Sequence, residues 1–261
     1  MRRLPDWRRL NWLGAATFVG ALALWEVAIH IGLLSFEYLP PPSKVFLGLN
    51  ELISSGELQE NLTHTLTAAI SGWLLAAVAG VALGALLALF RPMWRYSMAT
   101  VEALRALPIV AFVPVAVVLF GFTQQMEIVV AFYAGLWPIL LNTYAGMRSL
   151  DTRLTEVGHV LGLSAAAVFW KLRLPAATSF IMVGLRLGLA ISLILTLVAE
   201  MVGNPSGLGF ALIQKGQSLQ PEQMFAYVVV IGLCGIVLNG VLMALARVLF
   251  RGQMAAAGDS A

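Results

Sequence analysis

Few residues in this chain can do chemistry, and most of them sit where a charge is costly. Glu26 and His30 are spaced i, i+4, and Glu102 and Arg105 are spaced i, i+3; Arg186 and Glu200 follow, and all lie in or against long apolar runs. Positions three or four apart share one helix face. Glu26 and His30 can therefore form an internal polar pair facing neighbouring helices, or part of a substrate or proton relay. Glu102 and Arg105 can pair with each other. Arg186 lies about two turns into its run and needs a counter-charge or water. It is either an attractive site for an anionic substrate or a member of an internal ion pair or carbonyl hydrogen bond. Glu200 follows it by 14 residues, roughly 21 Å of helix, too far to pair with it within one helix. The single cysteine, Cys234, stands in an apolar run without a CxxC or histidine partner and reads as a small buried hydrophobe. His30, His64 and His159 are far apart in sequence. There is no HExxH, GxSxG, cysteine/histidine cluster or glycine-rich phosphate loop ending in Gly-Lys-Ser/Thr. These absences leave little support for an enzyme, a metal site or a cofactor, and an ATP site of that type is excluded from this chain.

The elements that must position these residues follow from composition. Of 261 residues, 60% are hydrophobic and 11% charged, against about a quarter charged in ordinary soluble domains. Repeated membrane spans explain the excess. Six apolar runs predict spans near 12–34, 66–90, 97–122, 127–147, 179–201 and 224–250, an all-α polytopic membrane protein. The first run follows Arg2, Arg3, Arg8 and Arg9 and is too long for a signal peptide. Pro40, Pro41 and Pro42 stop the helix before an amphipathic segment, which Ser43 would cap and which would lie along the membrane surface. Gly80 with Gly84, and Gly184 with Gly188, are small-xxx-small pairs suited to close helix approach. Pro108 and Pro114 predict a kinked or broken third span, tolerated in a membrane only against protein or a water-filled cavity. That span, with Phe112, lines a translocation pathway better than any single charge. Between the fifth and sixth spans a glycine- and proline-rich segment reads as a loop.

Six spans place both termini on one side. With the N-terminus inside, the cytoplasmic segments hold Arg2, Arg3, Arg8, Arg9, Arg91, Arg95, Arg148, Arg153, Lys171, Arg173, Arg247 and Arg251, twelve of the sixteen basic residues, against Lys44 and Lys215 outside. This asymmetry sets the orientation and accounts for the net charge of +3 without nucleic acid. It divides the chain into a cytoplasmic segment 1–11, a transmembrane domain 12–251 with its core at 62–250, and a flexible tail 252–261. It also places the most polar connection, residues 148–178, in the cytoplasm. There a short helix near 154–161 would align Leu154, Val157, Val160 and Leu161, Gly162 would permit a sharp turn, and a second helix capped by Ser164 would end at Leu174 and Pro175.

The spacing Glu156-x5-Gly162-x9-Leu172-x-Leu174-Pro175 resembles the EAA motif of permease subunits of bacterial binding-protein-dependent ABC importers. The chain departs from that pattern with Val157 and Gly158 in place of two alanines and Leu172 in place of isoleucine; Gly158 is expected to loosen the first helix. Further segments resemble the branch that imports taurine, aliphatic sulfonates, nitrate and bicarbonate. They include Leu39 with Pro40–Pro42, Leu104 to Pro108, Pro114, Phe120-Gly121, Asn142 with Gly146, Gly184 to Arg186, Ala199 to Met201 and Gly207 to Gly209. The resemblance implies a type I importer permease in the bacterial inner membrane, working as a homodimer. Two ATP-binding cassette subunits would dock on the coupling residues Glu156, Val157, Gly158, Gly162, Leu172, Leu174 and Pro175. A periplasmic or lipid-anchored binding protein would deliver a small anionic solute, with phthalate-like, pyrimidine or flavin cargo also possible. Arg105, Pro108, Phe112, Pro114, Asn142, Arg186 and Glu200 are the pathway candidates. A secondary transporter or channel without an ATPase is the alternative, disfavoured by the motif and by the lack of paired intramembrane acids; a membrane scaffold is a third.

Overall fold

The computed structural model describes residues 12–33, 36 and 38–249, so the terminal segments 1–11 and 252–261 lie outside the described residues. The regular elements among them are all helices, in the order α1 (Trp12–His30), α2 (Pro42–Ser54), α3 (Glu57–Leu89), α4 (Arg91–Ala106), α5 (Ile109–Phe120), α6 (Gln124–Arg148), α7 (Thr152–Val160), α8 (Ala165–Val168), α9 (Leu174–Met201), α10 (Leu208–Gln217) and α11 (Pro221–Leu249). A π-helical turn over Phe169–Arg173 joins α8 to α9. Five of the described helical stretches are long and apolar enough to cross a membrane, and the bent pair α4–α5 makes a sixth if counted as one span. The chain groups into two units, one of residues up to 59 with 211–230, the other of 60–210 with residues from 231 onward.

The larger unit is built around α6. Gly72, Gly80 and Gly84 on α3 press against it, a Cβ at Gly84 falling 2.6 Å from the Leu140 carbonyl. Gly184 and Gly188 on α9 press from their own helix, with Asn142 Cβ 2.9 Å from a Cβ at Gly184 and Ile139 Cδ1 2.7 Å from one at Gly188. The small-residue spacings therefore do what the sequence predicted: they bring backbones together where lipid supplies no hydrophobic drive. Ser192 donates to the Ala131 carbonyl across the α6–α9 seam at 2.8 Å.

The third span is broken, as its prolines predict: α4 and α5 meet at 86°, with the break at Leu107 and Pro108. The freed Leu104 carbonyl accepts from Tyr133 Oη at 2.7 Å, which satisfies an exposed backbone group inside a membrane protein.

Four local expectations are corrected. Ser43 does not cap α2; the Glu26 carboxylate does, accepting from Ser43 N at 3.0 Å and Ser43 Oγ at 2.7 Å. Helix α3 begins at Glu57 rather than near 66, because helix geometry continues past the apolar stretch that defines the span. The segment after the fifth span contains a helix, α10, hidden behind the glycines that precede it. Leu174 and Pro175 do not end a helix either. Pro175 lacks the N–H that would bond four residues back, and its ring crowds that carbonyl; the wider π-turn, in which Leu174 N bonds Phe169 O, absorbs the conflict, so the helix runs from Ala165 to Met201.

Candidate functional site

The connection between α6 and α9 exposes what a docking element needs. In α7, Leu154, Val157 and Val160 recur at helical spacing and are 52%, 54% and 87% exposed; Leu161 and Trp170 are exposed beyond it. Glu156 is exposed on the same helix. Gly162 follows at φ +75°, a left-handed conformation that glycine adopts without the strain of a Cβ. Ser164 then caps α8, accepting from Ala167 N at 3.2 Å. Leu172, Leu174 and Pro175 are half-buried at the entry to α9.

Gly158 has a definite place. It is buried, and a Cβ there would meet Leu172 Cδ1 at 3.3 Å, Leu163 Cδ1 at 3.5 Å and Val168 Cγ2 at 3.5 Å. The glycine lets α7 pack down onto the following segment, so it fits the fold rather than merely loosening a helix. Alanine would gain about 0.5–1 kcal/mol of helix preference and displace only flexible leucine ends. Gly158→Ala is accordingly expected to leave thermal stability within about 2 °C of the parent or raise it, measured by unfolding in detergent; Gly158→Phe should lower it clearly. A clear loss with alanine would contradict this packing.

The pathway candidates are dispersed. Arg105 donates to Glu102 Oε2 at 2.5 Å, both side chains about half exposed. Pro108 caps α5 and Pro114 lies within it. Phe112 stacks on Tyr133 with centroids 4.6 Å apart. Asn142 donates to the Pro138 carbonyl at 2.7 Å within the α6–α9 contact. Arg186 is exposed and makes no ion pair among the described residues. It rims a groove of about 350 Å³ between α9 and α11, walled by Leu189, Leu193, Ile231 and Leu238, with Asn239 at its edge. The Asn239 Oδ1 is buried without a hydrogen-bond partner among the described residues.

Glu200 belongs to a different place, about 40 Å of helix from Leu174. It is fully buried. Its Oε1 accepts from Thr65 Oγ1 at 2.7 Å and its Oε2 from Gly209 N at 2.8 Å. Thr65 Oγ1 also accepts from Leu208 N at 2.8 Å, so the pair anchors the first turn of α10. Glu127 and His64 adjoin it. The sequence offered no signal for this cluster, because His64 lies 63 residues from Glu127 and Thr65 lies 135 from Glu200, on separate helices. It also removes one argument against a secondary transporter, since paired buried acids are present; the assignment rests on family instead.

Long, apolar helices packed through glycine seams, one broken span and an exposed connection between two spans define a multi-pass membrane permease. The comparisons name the class. A model of the family "Binding-protein-dependent transport system inner membrane component" matches residues 80–254. SsuC, the candidate aliphatic sulfonates transport permease protein of Bacillus subtilis (strain 168), is 31% identical over 90% of this chain and 86% of its own. The taurine transport system permease protein TauC of Escherichia coli (strain K12) is 27% identical over 92% of each. The permease fold is shared with the MetNI methionine ABC transporter in an inward-facing conformation, with a TM-score of 0.62 and 20% identity over 77% of this chain and 97% of that one. The chain belongs to the family of inner-membrane permease subunits of binding-protein-dependent ABC importers. It is a translocation subunit, and its family works with an ATPase and a substrate-binding protein.

Proposed function

We propose that this chain forms half of the pore of an importer for a small anionic or sulfonate-bearing solute, such as an alkanesulfonate, taurine or nitrate. The observation that carries the coupling is the exposed apolar face of α7, ending at the left-handed Gly162. An apolar face on a short helix between two spans has no role in the lipid and fits a groove on a partner. Two ATPase subunits, one per permease copy, dock there, with Glu156, Val157, Gly158, Gly162, Leu172, Leu174 and Pro175 forming the docking element. That places α7 and both termini in the cytoplasm, in keeping with Arg148, Arg153, Lys171 and Arg173 around it. A second copy covers the α9–α11 groove, since an arginine within a span cannot face lipid. Arg186 then meets the anion there, while Arg105, Pro108, Phe112 and Pro114 at the broken span shape the route and Asn142 supports it from the α6–α9 seam. Glu200, wholly enclosed, is reassigned to holding the fold.

Reconstitution in liposomes with the ATPase and the binding protein tests this reading. ATP-dependent uptake of taurine or an alkanesulfonate is expected only with all three present. Arg186→Gln should reduce uptake efficiency about 10- to 100-fold, the worth of one hydrogen bond to a charge. Transport by the permease alone rejects the coupling, and unchanged rate and affinity in Arg186→Gln removes Arg186 from the pathway.

A further inference from the structure

The cluster around Glu200 holds two buried carboxyl groups with no lysine or arginine beside them among the described residues. Glu127 on α6 and Glu200 on α9 are both fully buried. His64 on α3 brings Nε2 to 3.1 Å from Glu127 Oε1, and Asn204 Nδ2 donates to that same oxygen. Among the described residues no lysine or arginine joins the cluster. The second Glu127 oxygen, Oε2, is buried with no hydrogen-bond partner among the described residues. A buried carboxylate without compensation costs several kcal/mol, and an unpartnered buried oxygen in a well-packed protein calls for an ion, a water or a functional reason. One atom each from His64, Glu127 and Glu200 lie within 4.8 Å of one another; two bonds of about 2.1 Å span at most about 4.2 Å, so binding draws the widest-set of these atoms together by about 0.6 Å or less.

We propose that His64, Glu127 and Glu200 bind a divalent transition-metal ion such as Zn²⁺ or Mn²⁺. One imidazole and two carboxylates suit these ions, whereas the imidazole disfavours Ca²⁺ and Mg²⁺. The ion neutralises both acids and uses the free Glu127 Oε2. It ties α3, α6 and α9 together at the ends where Val202–Asn204 leads toward α10. The loop closes tightly on the site: Gly207 sits at φ +100°, and a Cβ there would overlap the Glu200 carboxylate. Asn204 and Thr65 hold the carboxylates for the ion. The site stabilises the fold and takes no part in moving solute.

The test uses the full-length chain, purified with its ATPase and without a polyhistidine tag. It is stripped with EDTA and dialysed against Zn²⁺ or Mn²⁺ alone. Elemental analysis should find about one ion per chain, and thermal unfolding should rise by about 5 °C or more on loading. Glu127→Gln removes a ligand and a buried charge together, so it should fold, lose the ion and lose the thermal response. His64→Ala should also lose the ion, while Glu26→Gln, a carboxylate elsewhere, keeps it. Wild-type protein with far less than one ion per chain and no thermal response overturns the proposal and assigns the neutralisation to protons. Retention of the ion in both Glu127→Gln and His64→Ala overturns it as well, by placing the ion elsewhere.

Discussion

Gly188→Leu should strongly destabilise the permease core. A Cβ at this position already lies 2.7 and 2.8 Å from Ile139 side-chain carbons and 3.1 Å from the Gly135 carbonyl. Ile139 is fully buried and cannot swing away. Gly135 offers only backbone, and a Cβ there would itself sit 2.5 Å from Ser192 Oγ. Leucine adds three further carbons to a seam with no room for the first, so α9 must move off α6. That movement breaks the Ser192 bond to the Ala131 carbonyl and opens a packed face. Overpacking alone costs about 1–3 kcal/mol, and the lost seam takes the total to about 3 kcal/mol or more. Thermal unfolding in detergent should fall by about 10 °C, with low yield of folded protein. Gly188→Ala should fall less, because helix preference returns about 0.5–1 kcal/mol. Gly20→Leu, where nothing lies within 4 Å of the added atom, should change little. If Gly188→Leu unfolds within about 2 °C of the parent, the α6–α9 seam does not have this geometry.

What the sequence made legible was local. The apolar runs gave the spans because twenty residues of helix match a bilayer, and Pro108 located the break because a missing donor has a fixed address. The glycine pairs revealed the seams because spacing four is a helix face. The failures share one cause, contacts between residues distant in the chain. The cap on α2 comes from Glu26, seventeen residues earlier, so local inspection chose Ser43. Pro175 stops a helix by local rules, but the π-turn before it is a whole-segment solution. The glycines at 203–209 suggested loop, although Gly207 and Gly209 serve the Glu200 carboxylate and α10 starts at Leu208. Gly158 looked like a weakness in a motif until Leu172 and Val168 were seen against it. For the residues proposed to dock the ATPase, the spacing predicted both the helices and the turn, and the structure adds which side chains are left uncovered.

Those uncovered side chains make the second large prediction. Val157→Asp with Val160→Asp should abolish uptake while leaving the permease folded. Both positions are more than half exposed, so folding stability has little to lose there; exposed substitutions usually cost under about 0.5 kcal/mol. An ATPase docked on this face has much to lose. Burying each valine is worth about 1.5 kcal/mol or more, and burying each new carboxylate without a partner costs further. A combined loss of about 4 kcal/mol weakens association about a thousandfold. The double variant should therefore unfold at the parent's temperature, fail to copurify the ATPase, and show no ATP-dependent uptake. Gly162→Glu attacks the same element through its backbone, since a left-handed conformation strains any side chain by about 1–2 kcal/mol; it should impair coupling without removing an apolar contact. The pair of measurements separates the two roles. Loss in the aspartate variant with normal function in Gly162→Glu leaves the face as the coupling feature and the turn as incidental. Full uptake in the aspartate variant would mean that force enters the permease somewhere other than α7.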